Sequence, residues 1–343
     1  MATTGTGSVA DRPRVTLTQV AQLAGVSPTT VSHVLSGKRI VGAATRGAVE
    51  EAIRELGYRP NNVARSLRTR RSTMVAVVVP DITNTFYSVL TRGLADAVDA
   101  AGYGTYVCNT DGSAGREAKF LEDVLDRGVD GIVMASVDVA SVGATGPAEL
   151  GTPIVCVGGR LDHPRVDVVA ADDLVGSQAV TRHLIARGAK RLAMIQGPPE
   201  TGSARTEGFC RALTEAGLSD EPQWMVSGDW TRRGGHTAMG QLMAQPRRQR
   251  PDAIFCANDL TAIGAIDGAR ELGLSVPGDV AIAGFDDVDA ATIVSPTLTT
   301  VRNPAYETGR TAGEMLMSRM LGIYSGPSRT VILPCRLITR ESA

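Results

Sequence analysis

Residues 16–37 read TLTQVAQLAGVSPTTVSHVLSG, a stretch in which small, turn-forming and apolar residues fall at the spacing of two short helices joined by a tight corner. Thr16 and Thr18 precede a helical run expected over 19–24, Gly25 supplies the positive-φ corner, and Ser27 is placed to cap the second helix. Val20, Ala24, Val26, Val31 and Val34 point to one small core, and Ala21 is small enough for the helices to cross closely. Thr29, Thr30 and His33 then share the opposite face, where hydrogen-bonding groups could reach base edges. The pattern is that of a helix-turn-helix whose second helix is a recognition helix, and an ordinary helical hairpin accounts for it less well.

Working outward, 43–56 reads as a third helix, with Val49, Ile53 and Leu56 on one stripe and Gly57 as its stop. Gly42 precedes it as a cap nearly as good as the usual Ser. Residues 58–68 follow as YRPNNVARSLR. With TVSHVLSG, this block resembles the lactose-repressor (LacI) family of bacterial transcription regulators, in the VSH variant of its purine and ribose repressors. The resemblance runs from Val15 onward through nearly the whole chain. It implies that Thr29, Thr30 and His33 enter a major groove while Thr16, Ser27, Ser32, Ser36, Thr45 and Asn61 lie near phosphates. It also implies a hinge over 61–67, with Ala64, Arg65 and Arg68 at the DNA and Leu67 inserted in the minor groove. The hinge segment is short and so marginal as an isolated helix, which fits folding on DNA, and Leu67 is apolar in a basic stretch. A flexible linker with Leu67 packed on the body is the bland alternative.

The charge is uneven. Residues 1–71 carry eleven Lys/Arg against four Asp/Glu, whereas the other residues carry twenty-four against thirty-two, so a net of −1 conceals a basic head on an acidic body. That asymmetry puts nucleic acid at one end and something else at the other. The five cysteines are scattered and never in CxxC spacing, which favours reduced thiols over disulfides or zinc. With 343 residues, no signal-like opening and no membrane-length apolar run, the chain is expected to be cytoplasmic and associated with the nucleoid.

From Ser72 the pattern alternates short β-rich runs with amphipathic helices. Strands are expected over 74–79, 104–108, 131–134, 154–157 and 166–170, then over 191–195, 253–256 and 280–283, with helices such as 86–101, 174–187 and 261–272 between them. The fold class is therefore α/β: a small all-α helix-turn-helix head on a two-lobed body of parallel sheets. Family resemblance gives the lobes the fold of periplasmic sugar-binding proteins, with three crossings, placed near Asp172, Val301 and Val331. The expected organisation is a disordered tail over 1–13, a DNA-binding domain over 14–60 and a hinge over 61–72. One lobe comprises 73–172 and 302–331, and the other 173–301 and 332–343.

Ligands of such folds bind at strand carboxyl ends. Asn84, Phe86 and Tyr87 follow the first strand, Asp138 the third, Arg205 opens a helix after Gly197-Pro-Pro, and Trp230, Asn258 and Asp286 follow later strands. Carboxylates, amides and a guanidinium suit vicinal hydroxyls, and the aromatics offer flat faces to a sugar or base. The resemblance implies effector contact at Asn84, Phe86, Tyr87, Arg205, Trp230, Asn258, Asp286 and Asn303. Arg160 is a further candidate in Val157-Gly158-Gly159-Arg160, where relatives often carry Asp-Arg. Asn303 is a methylene shorter than the common Gln, and the segment 197–209 is about two residues shorter than in several relatives, which loosens the register of Arg205.

No HxxxH pair and no GxSxG elbow is present, and GTGSVA over 5–10 matches a dinucleotide fingerprint by letters alone, without a preceding strand. No catalytic residue, metal or cofactor is therefore expected. The expectation is a ligand-responsive repressor, pairing as a homodimer on a pseudo-palindromic operator, with a small sugar as effector. With no leucine heptad behind 340–343, a dimer is expected rather than a tetramer. The rivals are a solute-binding protein for uptake, a purine- or nucleoside-responsive corepressor-type regulator, and a sugar-modifying enzyme.

Overall fold

The computed structural model describes residues 15–37, 39–59, 71–135, 151–158, 163–219 and 221–343, leaving aside the side chains of 199–201 and 222. The chain divides into two compact units, Met1–Arg70 and Arg71–Ala343.

In the first unit, α1 (Leu17–Leu23), α2 (Pro28–Ser36) and α3 (Ala43–Leu56) close on one another. Helix α1 begins two residues before the expected start at Gln19, so Thr18 lies inside it. The cause is a capping box: Gln19 N–H donates to Thr16 Oγ1 at 3.3 Å and Thr16 N–H donates back to Gln19 Oε1 at 2.8 Å, satisfying donors that would otherwise fray the first turn. Val20, Ala21, Val31, Val34, Val49 and Ala52 are buried, while Ala24 and Val26 pack at the edge of this core. Gly25 turns at φ +64° and Gly57 ends α3 at φ +61°.

The second unit holds two parallel sheets, each wrapped by helices. The first runs β11-β5-β4-β3-β1-β2: β1 (Met74–Val79), β2 (Gly104–Asn109), β3 (Gly131–Met134), β4 (Ile154–Val157), β5 (Val166–Ala171) and β11 (Thr330–Leu333). The second runs β7-β6-β8-β9: β6 (Leu192–Gln196), β7 (Met225–Ser227), β8 (Ala253–Cys256) and β9 (Ala281–Ala283). A strand such as MVAVVV is apolar on both faces because helices cover both, which is why it lacks alternation. An antiparallel pair, β10 (Thr300–Arg302) with β12 (Arg336–Ile338), stands where the chain passes between lobes.

The crossings follow from strand membership. The chain leaves the first sheet after Ala171, returns after Arg302, and leaves again after Leu333. The last crossing is thus at Pro334–Cys335, beyond Val331, which is paired with Val169 inside the first sheet. All five cysteines are free, and Cys108, Cys156 and Cys256 are buried.

Candidate functional site

Two sites stand out, one in each unit. In the first, Ser27 caps α2 by accepting from Thr30 N–H at 3.1 Å, and its hydroxyl also meets Thr30 Oγ1 at 2.9 Å. Ser27 and Thr30 therefore hold the first turn of the recognition helix together. Thr29 and Ser36 are exposed; Thr30, Ser32, His33 and Thr45 are half-buried, and Thr16 is exposed. Val31 and Val34, on the other face, are in the core, so the helix presents Thr29 and His33 outward. Asn61, Ala64, Arg65, Leu67 and Arg68 lie outside the described residues, as do the tail over 1–13 and most of the expected hinge.

In the second unit a cavity of about 680 Å³ opens between the lobes at the carboxyl ends of the strands. Eight of the sequence-predicted residues, Asn84, Phe86, Tyr87, Arg205, Trp230, Asn258, Asp286 and Asn303, line it. Asp138 and Arg160 lie outside the described residues. Local caps aim several of the eight. Asn84 accepts from Phe86 N–H at 3.1 Å at the start of α4 (Thr85–Asp99), which turns the Phe86 and Tyr87 rings, edge to face at 5.2 Å, toward the cavity. Asn258 caps α9 (Asp259–Glu271; α5, Ala114–Asp126, α6, Asp173–Ala186, α7, Pro199–Glu215, and α8, Arg232–Met243, intervene) and donates its amide to Trp230 O at 3.0 Å. Trp230 and Asp286 sit at φ +64° and +111°, backbone that non-glycine residues rarely adopt. Strain held at cavity-facing residues in this way is characteristic of binding sites.

Arg205 is the electrostatic centre. It is 8 % exposed, and each guanidinium nitrogen already donates: Nε to Asp173 Oδ2 at 3.1 Å, Nη1 to Ala257 O at 2.5 Å and Nη2 to Asp286 Oδ1 at 3.3 Å. The guanidinium lies over the Phe285 ring at 3.9 Å and near Trp230 at 5.5 Å. Burial works against its charge, but Asp173 and Asp286 more than offset that, so it stays protonated. Burial also pushes Asp286 up to about 6, against the pull of Arg205 and of the Asn303 amide, which donates to Asp286 Oδ1 at 3.2 Å. Behind it, burial raises Asp259 well above the usual carboxylate range, with Asp286 adding to the effect. Burial, then the Asp286 charge, keeps the Tyr87 hydroxyl protonated and available as a donor.

Sequence reasoning missed Asp111, Asp173 and Thr308 in the lining. Asp111 and Asp173 each follow a strand end, the same signal that located Asn84 and Asn258. Thr308 carries no such signal, for it lies within α11 (Ala305–Met320; α10 is Ala290–Ile293) and reaches the cavity through helix packing alone.

A two-lobed binding body following a helix-turn-helix unit defines a ligand-sensing regulator class. Residues 16–61 match the family model described as bacterial regulatory proteins, lacI family, and 181–343 match a periplasmic binding protein-like domain. The chain is 34% identical over 309 residues to the HTH-type transcriptional repressor PurR of Aliivibrio fischeri (strain MJ11), covering 89% of this chain and 91% of that one. It is 35% identical over 308 residues to the ribose operon repressor of Escherichia coli (strain K12), covering 89% and 93%. A solved Lac repressor dimer bound to operator and the anti-inducer ONPF superposes with a TM-score of 0.85 at 26% identity, over 96% of this chain and 99% of that one. The chain belongs to the lacI family of bacterial regulatory proteins. Among the described residues, no helix is long and apolar enough to cross a membrane.

Proposed function

We propose that this chain is a cytoplasmic transcriptional repressor that binds a pseudo-palindromic operator as a homodimer and changes its operator affinity when a small sugar-like effector enters the cleft. The observation that carries the reading is the presence in one chain of an outward-facing Thr29/His33 surface on a capped recognition helix and an interlobe cavity lined by Asn84, Arg205, Asn258 and Asp286. Amide, guanidinium and carboxylate groups of the kind that bind vicinal hydroxyls are gathered in one lining, and Trp230 adds a flat aromatic surface to it. A catalytic role has no support in this arrangement, and the relatives above are repressors.

The aromatic lining, Phe86, Tyr87 and Trp230, favours one second reading: a nucleoside or purine base stacked in the same cavity. Both readings meet in one experiment. An operator selected from random duplexes is titrated with the full chain, with and without sugars, nucleosides and purine bases, while a thermal-shift series reports binding to the protein. A compound that raises the melting temperature and alters operator affinity supports the proposal and names the effector class. No sequence preference among duplexes, or binding of a sugar that leaves operator affinity untouched, refutes it.

A further inference from the structure

Thr73, the residue before β1, sits at φ +58°, a conformation that its branched side chain makes costly. Glycine would take that corner without strain, so other contacts must hold a threonine there. Asp130, immediately ahead of β3, supplies them. Its Oδ2 accepts from Thr73 N–H at 2.8 Å and from Ser72 Oγ at 3.3 Å, and its Oδ1 accepts from Ser72 N–H at 3.3 Å. The Thr73 hydroxyl donates to Ser72 O at 2.6 Å, which ties the two residues to each other. On the strand side, Gly104 N–H donates to Thr73 O and Asp130 N–H to Met74 O, both at 2.9 Å, so the sheet fixes the far side of the corner. Hydrogen bonds to a charged acceptor are the stronger kind, and three on one carboxylate offset a single unfavourable φ.

The corner has a particular place in the chain. The second unit begins here, and residues 60–70 are all that separates it from Arg59, the last described residue of the first unit. Arg71 Nη2 donates to Met320 O at 3.4 Å at the end of α11, and a Cβ on Gly131 would lie 2.8 Å from Met320 Sδ. The corner is thus fastened to the helix that carries Thr308 to the cleft. An operator read by both heads of a homodimer requires each chain to leave its body in a defined direction. Backbone freedom at the junction is lost when both heads engage, and that loss weakens binding. A random duplex held by phosphate contacts makes no such demand.

We propose that Asp130 is a positioning residue for operator binding: it holds Thr73 in the positive-φ corner and so sets the direction in which the chain leaves the body toward the DNA-binding unit. The inference rests on the reading of the chain as a homodimeric, operator-binding repressor.

The test uses the full chain, the selected operator and a random duplex, titrated by fluorescence well below the melting temperature and without effector. Asp130→Ala should raise the operator Kd about tenfold, the effect of having to order one more residue's backbone, and leave the random-duplex Kd within about twofold. Asp130→Asn keeps one acceptor oxygen, so it should fall between wild type and Asp130→Ala, and it serves if the latter melts early. Thr73→Gly takes the corner without steric cost. Placed in the Asp130→Ala background, it should recover most of the lost operator affinity, a rescue that a merely structural role for Asp130 does not produce. Operator binding unchanged in both Asp130 variants, equal losses on operator and random duplex, or no recovery with Thr73→Gly overturns the inference and leaves the repressor reading standing. A wild-type chain with no preference for any duplex overturns that reading and the inference with it.

Discussion

Replacing Arg205 by Met keeps most of the side-chain volume and removes the charge, so it isolates what the guanidinium does. The residue makes ion pairs at 3.1 and 3.3 Å, donates to a backbone carbonyl at 2.5 Å and covers Phe285 at 3.9 Å. Removing one partner of a buried ion pair costs about 3–5 kcal/mol, because the abandoned carboxylate has lost its counter-charge. In a protein this large each kcal/mol lowers the melting temperature by roughly 2–4 °C, so a fall of roughly 10 °C is expected above neutral pH. The loss should depend on pH. Asp286 is raised to about 6 even with Arg205 beside it, and without the cation it rises further. A group whose folded pKa is raised contributes stability that is fully present below its unfolded value, near 4, and is lost as pH rises through the folded value. Near pH 5 the variant's Asp286 is therefore protonated and needs no partner, and the deficit shrinks to the lost bond to Ala257 O, the lost pairing with the partly exposed Asp173 and the stacking, about 2–3 kcal/mol. Melting curves of wild type and variant at about pH 5 and about pH 8 measure this. An Arg205→Met/Asp286→Asn double variant should recover stability at the higher pH only. Equal losses at both values would refute the assignment of Asp286 as the group left uncompensated.

Three further outcomes are expected. His33→Ala should weaken selected-operator binding by about 1–3 kcal/mol and leave random duplex binding unchanged in a fluorescence titration; equal losses would move His33 to phosphate contact or packing. Ser27→Ala should cost about 1 kcal/mol of the stability of the first unit, read from helical dichroism on melting, since it deprives Thr30 N–H of its acceptor. Gly309→Ala places a Cβ against Leu90 O, 2.7 Å from Leu90 C and 3.0 Å from Leu94 N, so α4 and α11 must separate at a cost of about 1–3 kcal/mol. Because these helices carry Tyr87 and Thr308, the same variant should weaken effector binding in calorimetry, and unchanged stability would show that the close crossing is not required.

Much of the fold was legible because its signals are local. Ser27, Asn84 and Asn258 each accept a hydrogen bond from two or three residues along, so the cap can be read from its neighbours. Gly25 and Gly57 are called for by backbone that other residues avoid. The start of α1 was misplaced because a Gln side chain returning to Thr16 competes with the plain reading of Thr16 and Thr18 as preceding residues. The last crossing was expected near Val331; the pairing of Val331 with Val169 and of Leu333 with Ala171 is what fixes it a few residues later.

The candidate site divides along the same line. That polar and aromatic residues follow the strands is a property of the sequence, and it located Asn84, Arg205, Asn258 and Asp286 without coordinates. Their electrostatics is not. Arg205 meets Asp173 and Asp286 across separations of 32 and 81 residues, and Thr308 reaches the cavity only because α11 packs on α4 through glycines. Which carboxylate finds a cation, which is left short of a donor and how far burial raises Asp286 depend on distances between segments remote along the chain. Periodicity and capping act within a few residues and survive in the letters; desolvation and ion pairing exist only once the lobes have enclosed the cleft.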